Sequence, residues 1–265
     1  SEIQEDFKRF LENRGAAGAL CRGMMPQLWD LPEASSVDFY HSYLSTYIER
    51  DVRQILNISS LRDFDRFMRV CATRSGQLLN KSEIAKQVGV TAKTVNDWLS
   101  VLEASNQILL LEPYFQNTGK RVVKSPKLYF ADCGLLTFLL GLNEKTLSQS
   151  SHVGAVWETF VFSELRKTFS ILLPEGSIWF YRDQQREADF LLQYGGQLIL
   201  ADAKWTQYPE KKSFAKLAEI QSYLSSASDT LITICRSETS YPVSNKHMAL
   251  NGFQMREALK KIMLG

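Results

Sequence analysis

Hydrophobic positions change their spacing along this chain, and the change predicts where helices and strands lie. Up to residue 62, apolar side chains recur every three or four positions, as in amphipathic helices. Similar spacing returns at 153–169, 211–225 and 254–263. Short apolar runs at 197–205 and 230–235 predict β-strands, and so does the run that contains Asp189. Gly195 and Gly196 form a hairpin turn between the strand that contains Asp189 and the strand at 197–205. This part of the chain is therefore predicted to be α/β.

The middle of the chain has a different order of elements. Asn80 stands three residues before Glu83, which is the spacing of a capping box, and opens a short helix. Gly89 supplies a turn, and Thr91 is a good N-cap for the next helix. Two strands are predicted at 108–111 and 121–123. A short helix, a turn, a second helix and a β-ribbon are the order of a winged helix-turn-helix.

Six residues of this middle part are candidates for DNA contact: Lys93 and Thr94 on the polar face of the second helix, and Lys120, Arg121, Lys124 and Lys127 on or just after the ribbon. No acidic residue stands among the four ribbon residues, and such a cluster attracts a phosphate backbone. The sequence therefore predicts DNA as a partner. Two other interpretations stay open, because lysines also protect exposed strand edges and winged helices also bind proteins.

Three charged residues carry the strongest chemical pattern. Asp202 and Lys204 are two positions apart in the strand at 197–205, so their side chains share one face. The hairpin brings Asp189 alongside them. Carboxylate oxygens are hard ligands for Mg²⁺ or Mn²⁺, and a neighbouring lysine can position or activate a water. The pattern predicts a metal-dependent phosphodiesterase, and its alternative is a solvated ion pair across the hairpin.

This D…(D/E)xK arrangement resembles the PD-(D/E)xK nuclease superfamily, which has the restriction-endonuclease-like fold. The helix at 153–169 carries Glu158 where that superfamily has a helical glutamate. The resemblance implies that Glu158, Asp189, Asp202 and Lys204 are catalytic and that the three carboxylates are metal ligands. The chain departs from the family pattern at Ala188, where proline is usual, and in having Asp202 where glutamate is commoner.

Six further segments follow one another in a specific order: LCRGMMP at 20–26, YIERDV at 47–52, SGQLLN at 75–80, KR at 120–121, SPKLYFADCGL at 125–135 and WETFVFSEL at 157–165. Together they resemble the C-terminal region of archaeal-type AAA ATPases of bacteria and archaea, which ends in a shared domain of unknown function. The resemblance implies an upstream P-loop domain as a partner. ATP is expected to bind only there, because this chain has no G-x-x-x-x-G-K-[ST] motif.

Composition limits the classes of protein to which this chain can belong. The net charge is +2 over 265 residues, so any basic footprint must be local. The four cysteines are scattered and form no CxxC pair, which argues against a zinc or disulfide framework. No apolar run reaches the length of a membrane span, and no signal-peptide pattern opens the chain. These observations favour a cytoplasmic protein without membrane contact, and a homo-oligomer stays open.

The patterns together predict an α+β multidomain chain. We expect a helical segment at 1–62, as the tail or lid of an upstream ATPase domain, a winged helix at 63–130, a helical connector at 131–152 and a restriction-endonuclease-like α/β domain at 153–265. Two functions from different classes are compatible with this plan. One is a DNA-processing enzyme that cleaves DNA with Mg²⁺. The other is a catalytically inactive nuclease-like fold that binds DNA or protein and regulates the ATPase.

Overall fold

The computed structural model describes residues 2–31, 33–47, 61–115, 125–224 and 230–264. The chain divides into two compact units, each built from two stretches of sequence. Unit 1 comprises Ser1–Leu110 and Lys127–Thr159, and unit 2 comprises Leu111–Pro126 and Phe160–Gly265. The predicted α+β architecture is confirmed. The division between the units falls inside a helix that begins at Val153, the predicted start of the last domain.

Unit 1 is mostly helical. Its helices are α1 (Glu2–Arg22), α2 (Pro26–Asp30), α3 (Ser36–Thr46), α4 (Leu61–Ala72), α5 (Lys81–Val88), α6 (Ala92–Ala104), α7 (Cys133–Leu139) and α8 (Glu144–Leu147). The strands β1 (Gln77–Leu78), β2 (Ile108–Leu111) and β3 (Lys127–Phe130) form a sheet in the order β1-β3-β2. Helix α9 (Val153–Leu172) begins in unit 1 and continues in unit 2.

Local sequence explains where α5 and α6 begin. The side chains of Asn80 and Thr91 each accept a hydrogen bond at 3.0 Å, from the backbone N–H groups of Glu83 and Thr94 respectively. These bonds satisfy amide groups that have no partner within the helix. Gly89 ends α5 in the left-handed region, with a φ of 86°. The predicted helix, glycine turn and second helix are therefore confirmed.

The structure bears on two further predictions about this part of the chain, the β-ribbon and the helical connector. The first predicted ribbon strand is β2, but the second, at 121–123, lies outside the described residues, and the described strand that follows is β3. The helical connector predicted at 131–152 contains two helices rather than one, because α7 ends at Leu139 and α8 begins at Glu144. Gly141 has a φ of 67°, and the Asn143 side chain caps α8. The backbone therefore cannot continue there as one helix.

A buried carboxylate ties several segments of unit 1 together. Asp132 accepts hydrogen bonds from the Tyr40 hydroxyl at 2.6 Å, from the backbone N–H of Met24 at 2.7 Å and from the first turn of its own helix α7. The chains approach closely at this point. A Cβ atom at Gly134 would lie 2.7 Å from the Cα of Gly23. This network holds α7 against α3 and the segment after α1.

Unit 2 is built on a mixed six-stranded sheet. Its strands are β4 (Ser177–Arg182), β5 (Glu187–Tyr194), β6 (Gln197–Ala203), β7 (Leu231–Cys235), β8 (Tyr241–Pro242) and β9 (His247–Asn251), and its other helices are α10 (Lys211–Tyr223) and α11 (Met255–Leu264). The sheet order is β4-β5-β6-β7-β9-β8. Strand β5 is antiparallel to β4 and β6, whereas β6, β7 and β9 are parallel. Within the described ranges, no helix is long and apolar enough to cross a bilayer.

The two long helices of unit 2 cover opposite faces of this sheet. Phe162 of α9 stacks on Phe190, with ring centroids 5.9 Å apart. The next residue of β5, Leu191, joins a core cluster with Leu217 and Ile220 of α10. Successive strand residues point to opposite faces, so α9 and α10 lie on different sides. Burial on both faces explains why β6 and β7 are almost continuously apolar.

A β-bulge interrupts the pairing of β4 with β5. Trp179 pairs with Leu191 and Tyr181 with Ala188, so the two residues Asp189 and Phe190 face a single residue of β4. A bulge bends a strand and redirects a side chain. The pairing of β5 with β6 starts beside the bulge, which places Asp189 at the end of the antiparallel ladder.

We expect Gly134→Ala to lower the free energy of unfolding by about 1–3 kcal/mol, because the new methyl group meets backbone that cannot move aside. Gly154→Ala is the matched control, since Gly154 is also helical and a Cβ there meets nothing within 4 Å. That control should be neutral or stabilise by up to about 1 kcal/mol. Chemical denaturation measures both. Equal unfolding midpoints for the two variants would contradict the close approach at Gly134.

Candidate functional site

Asp189, Asp202 and Lys204 meet in unit 2, as the sequence predicts. The pairing of β5 with β6 ends at Phe190 opposite Ala201, and Asp189 and Asp202 are the next residues along the two strands. Lys204 Nζ lies 3.3 Å from Asp189 Oδ2 and 3.1 Å from Asp202 Oδ2. The ammonium group therefore bridges the two carboxylates.

Backbone amides hold both carboxylates in place. The N–H of Asp189 donates to Asp202 Oδ1 at 3.1 Å, and the N–H of Ala203 donates to Asp189 Oδ2 at 2.9 Å. Each aspartate thus accepts from the strand that carries the other. This reciprocal bonding fixes the two carboxylates relative to each other without relying on flexible side chains.

Burial sets the electrostatics of the site. Asp202 is completely buried, whereas about a third of the Lys204 side chain is exposed. Burial raises the pKa of the Asp202 carboxyl, and the nearby Asp189 raises it further against the opposing charges of Lys204 and Lys216. Burial alone would lower the pKa of the Lys204 ammonium, but the charges of Asp189 and Asp202 outweigh it and raise that pKa above its usual range. Lys204 is therefore charged at neutral pH.

Two residues near Asp202 were not predicted as part of the site. Lys216 of α10 acts on Asp202 through its charge. Thr233 of β7 pairs in parallel register with Asp202 and is completely buried. A sequence signal for Thr233 does exist, because it is the one hydroxyl residue in the otherwise apolar strand LITIC. Nothing in the sequence pairs Lys216 with a particular strand.

Glu158 does not join the two aspartates in a common ligand group. Its Oε1 accepts a hydrogen bond from the Tyr129 hydroxyl at 2.5 Å and another from Lys127 Nζ at 3.2 Å, within unit 1. Across the part of the chain that the structure describes, no three or more His, Cys, Asp or Glu side chains are placed to hold one metal ion. The structure thus brings together two of the three expected carboxylates.

The candidate DNA contacts have different environments. Lys127 is only 2% exposed, because it lies in the central strand of the unit 1 sheet and its ammonium bonds to Glu158. It is therefore not available to a phosphate group. Lys93 and Thr94 are in the first turn of α6, where Lys93 is exposed and Thr94 bonds to Thr91. The other three candidates, Lys120, Arg121 and Lys124, lie outside the described residues.

Segments that carry the AAA-type resemblance meet inside unit 1. Ser75 Oγ lies 2.9 Å from Thr159 Oγ1, and a Cβ atom on Gly76 would contact the Glu158 carboxylate at 3.6 Å. Lys127 and Tyr129 reach the same carboxylate from β3. The segments at 75–80, 125–135 and 157–158 therefore build one buried polar cluster.

Comparison with known proteins identifies the chain's family. Residues 14–146 match the family described as Domain of unknown function (DUF8612), which is just over half of the 265 residues. The chain belongs to that family. Residues 153–252 match Domain of unknown function (DUF4143), a domain often found at the C-termini of AAA ATPase-like proteins.

Two curated relatives are similar over most of the chain. One is an uncharacterized protein of Mycobacterium bovis and the other an uncharacterized protein of Mycobacterium tuberculosis. Each is 28% identical over 235 residues, which cover 88% of this chain and 52% of the relative. The chain thus spans about half the length of these relatives.

We expect Lys127→Met to lower the free energy of unfolding by about 3–5 kcal/mol, because Glu158, whose side chain is only 16% exposed, would lose this cation. Lys167→Met is the control. Lys167 pairs with Glu164 at the surface, so its loss should cost no more than about 1 kcal/mol. Chemical denaturation measures both changes. A cost at position 127 as small as that at position 167 would show that the pair does not stabilise unit 1.

Proposed function

We propose that unit 2 hydrolyses phosphodiester bonds of DNA with a divalent cation, Mg²⁺ or Mn²⁺, at Asp189, Asp202 and Lys204. One observation carries the proposal: two buried carboxylates on adjacent strands share one lysine at 3.1–3.3 Å. Burying charged groups costs desolvation free energy, and hydrophobic residues in their place are often as stable. Stability alone is therefore a weak reason for this site to be charged. The order and spacing of these three residues resemble the PD-(D/E)xK pattern, which supports the proposal.

The residues present fit a hard divalent cation. The donor set consists of carboxylate oxygens, which Mg²⁺ and Mn²⁺ prefer. Two carboxylates and one ammonium leave a net negative charge at the site. Asp202 Oδ2 is buried and accepts no well-aligned hydrogen bond from the described residues, although Lys204 Nζ is within ion-pair distance. Asp189 and Asp202 would hold the cation, which would polarise a phosphoryl oxygen and lower the pKa of a bound water.

The three residues have separate roles in this proposal. Asp189 and Asp202 would hold the cation and fix its position in the site. Lys204 holds a water beside the scissile phosphate and balances negative charge that develops during its attack. The Lys204 side chain is suited to both tasks, because its ammonium contacts both carboxylates while about a third of its surface reaches solvent.

A second candidate function is a catalytically inactive fold that binds DNA or protein. The position of Glu158 favours it, because this glutamate is engaged by Lys127 and Tyr129. A site with two acidic ligands instead of three carries less negative charge and attracts a cation less strongly. In that case Asp189, Asp202 and Lys204 would serve only to pair strands.

We also propose that unit 1 contains a winged helix that binds DNA and that the chain is the C-terminal part of an AAA-type ATPase. The order α4, β1, α5, α6, β2, β3 and the sheet order β1-β3-β2 support a winged helix. The DUF4143 match and the greater length of the relatives support an upstream ATPase domain, where ATP would bind.

We expect Mn²⁺ at about a hundred times its dissociation constant to stabilise the protein by about 2.7 kcal/mol. Asp189→Asn and Asp202→Asn should remove this gain, and Glu219→Gln, a change at an exposed carboxylate of α10, should keep it. Lys204→Ala should bind Mn²⁺ but lose plasmid nicking. Nicking that survives both aspartate changes would place the activity elsewhere. Mn²⁺ stabilisation without cleavage of any DNA form would select the inactive alternative.

We expect the triple change Lys120→Ala, Arg121→Ala and Lys124→Ala to weaken duplex binding equally for different sequences. If all three residues contact phosphates, the slope of log affinity against log salt should fall by about 2.7. The control removes three exposed cations from α11: Arg256, Lys260 and Lys261. Fluorescence anisotropy at several salt concentrations measures both. Identical slopes for the triple variant and the parent would exclude this segment as the DNA contact.

A further inference from the structure

Thr233 is a buried polar residue whose hydroxyl makes no hydrogen bond within the residues that the structure describes. It lies at the centre of β7 and has no exposed surface. Its Oγ1 is buried and makes no well-aligned hydrogen bond to any residue in the described part of the chain. Its sequence neighbours Ile232 and Ile234 are completely buried too. A hydroxyl in such surroundings disfavours folding, and valine would have nearly the same shape without this penalty.

The register of the sheet places this hydroxyl beside the candidate site. Asp202 of β6 pairs with Thr233 of β7 in parallel, so both side chains stand on the same face of the sheet. This face is the one covered by α10, because Leu200 and Leu231, two positions earlier on each strand, belong to the core cluster with Leu217. Adjacent strands are about 4.8 Å apart, which brings the two polar groups within reach of a common ligand.

Asp202 presents a matching atom. Its Oδ1 accepts the amide of Asp189, whereas its Oδ2 accepts no well-aligned hydrogen bond. A buried hydroxyl oxygen without a hydrogen bond among the described residues, and a buried carboxylate oxygen in an ion pair with Lys204, thus lie at paired positions of neighbouring strands. A carboxylate oxygen and a hydroxyl oxygen are both hard donors, and together they suit a hard cation better than another amide or ammonium donor.

We propose that Thr233 Oγ1 is a ligand of the divalent cation, next to Asp202 Oδ2. The inference rests on the proposed function, because it assigns a further oxygen to the same site. It gives the site a third protein side chain in place of Glu158. A neutral ligand leaves the charge balance of Asp189, Asp202 and Lys204 unchanged. In this proposal the unbonded hydroxyl destabilises the metal-free fold, and the bound cation is its partner.

Thr233→Val tests this assignment through two opposite effects. Without metal, the variant should unfold at a higher temperature than the parent, because an unsatisfied buried hydroxyl has been removed. With Mn²⁺, the concentration needed for half-maximal stabilisation should rise at least about tenfold, as is typical for loss of a group that supports a metal. Thr233→Ser keeps the oxygen and should need a Mn²⁺ concentration close to that of the parent.

Thr168→Val is the matched control, since Thr168 is also buried in unit 2 and exposes only 2% of its surface. It should leave the Mn²⁺ dependence unchanged. If Mn²⁺ stabilises the parent and Thr233→Val equally, the assignment of Thr233 is overturned while the metal site stands. If Mn²⁺ stabilises neither the parent nor any variant, both the proposed metal site and the assignment of Thr233 are wrong. A metal-free Thr233→Val protein that is less stable than the parent would show that the hydroxyl is already satisfied.

Discussion

The structure of unit 2 depends on neutralising two carboxylates that the sheet removes from water. Asp189 and Asp202 can be buried because each accepts an amide of the opposite strand and both approach Lys204. These bonds require one register between β5 and β6. A slip by one residue would turn the polar groups into the apolar layer on the opposite face. The bulge at Asp189 and Phe190 adapts β5 to this register while β4 keeps its own pairing.

Unit 1 solves a similar problem with different residues. Glu158 is held by Lys127 and Tyr129, and Asp132 by Tyr40 and backbone amides. Satisfied polar networks of this kind specify a unique packing because every donor and acceptor must meet its partner. The segments that make the chain resemble AAA-type proteins supply many of these residues. In unit 1 these segments therefore contribute buried polar contacts.

Much of the fold follows from local sequence. The caps at Asn80 and Thr91 and the turn at Gly89 act within a few residues, so the helices they delimit could be predicted. The interruption between α7 and α8 was missed, because the apolar pattern continues through Gly141 and hides the change of backbone direction. Of the site, the Asp189, Asp202 and Lys204 group was predicted, since a hairpin and a two-residue spacing bring these side chains together.

The sequence by itself determined the contacts that short loops close: the helix caps, the hairpin and the carboxylate–lysine group that spans it. Only the tertiary structure decided the destination of groups that are distant along the chain. In the folded chain, Glu158 accepts hydrogen bonds from Lys127 and Tyr129. Lys127 is buried, although its basic cluster predicted an exposed side chain. Thr233 lies beside Asp202 because their strands pair in parallel. The physical reason is that a side chain's partner depends on which strands become neighbours. Parallel neighbours are joined by long crossovers, and local patterns carry no record of that choice.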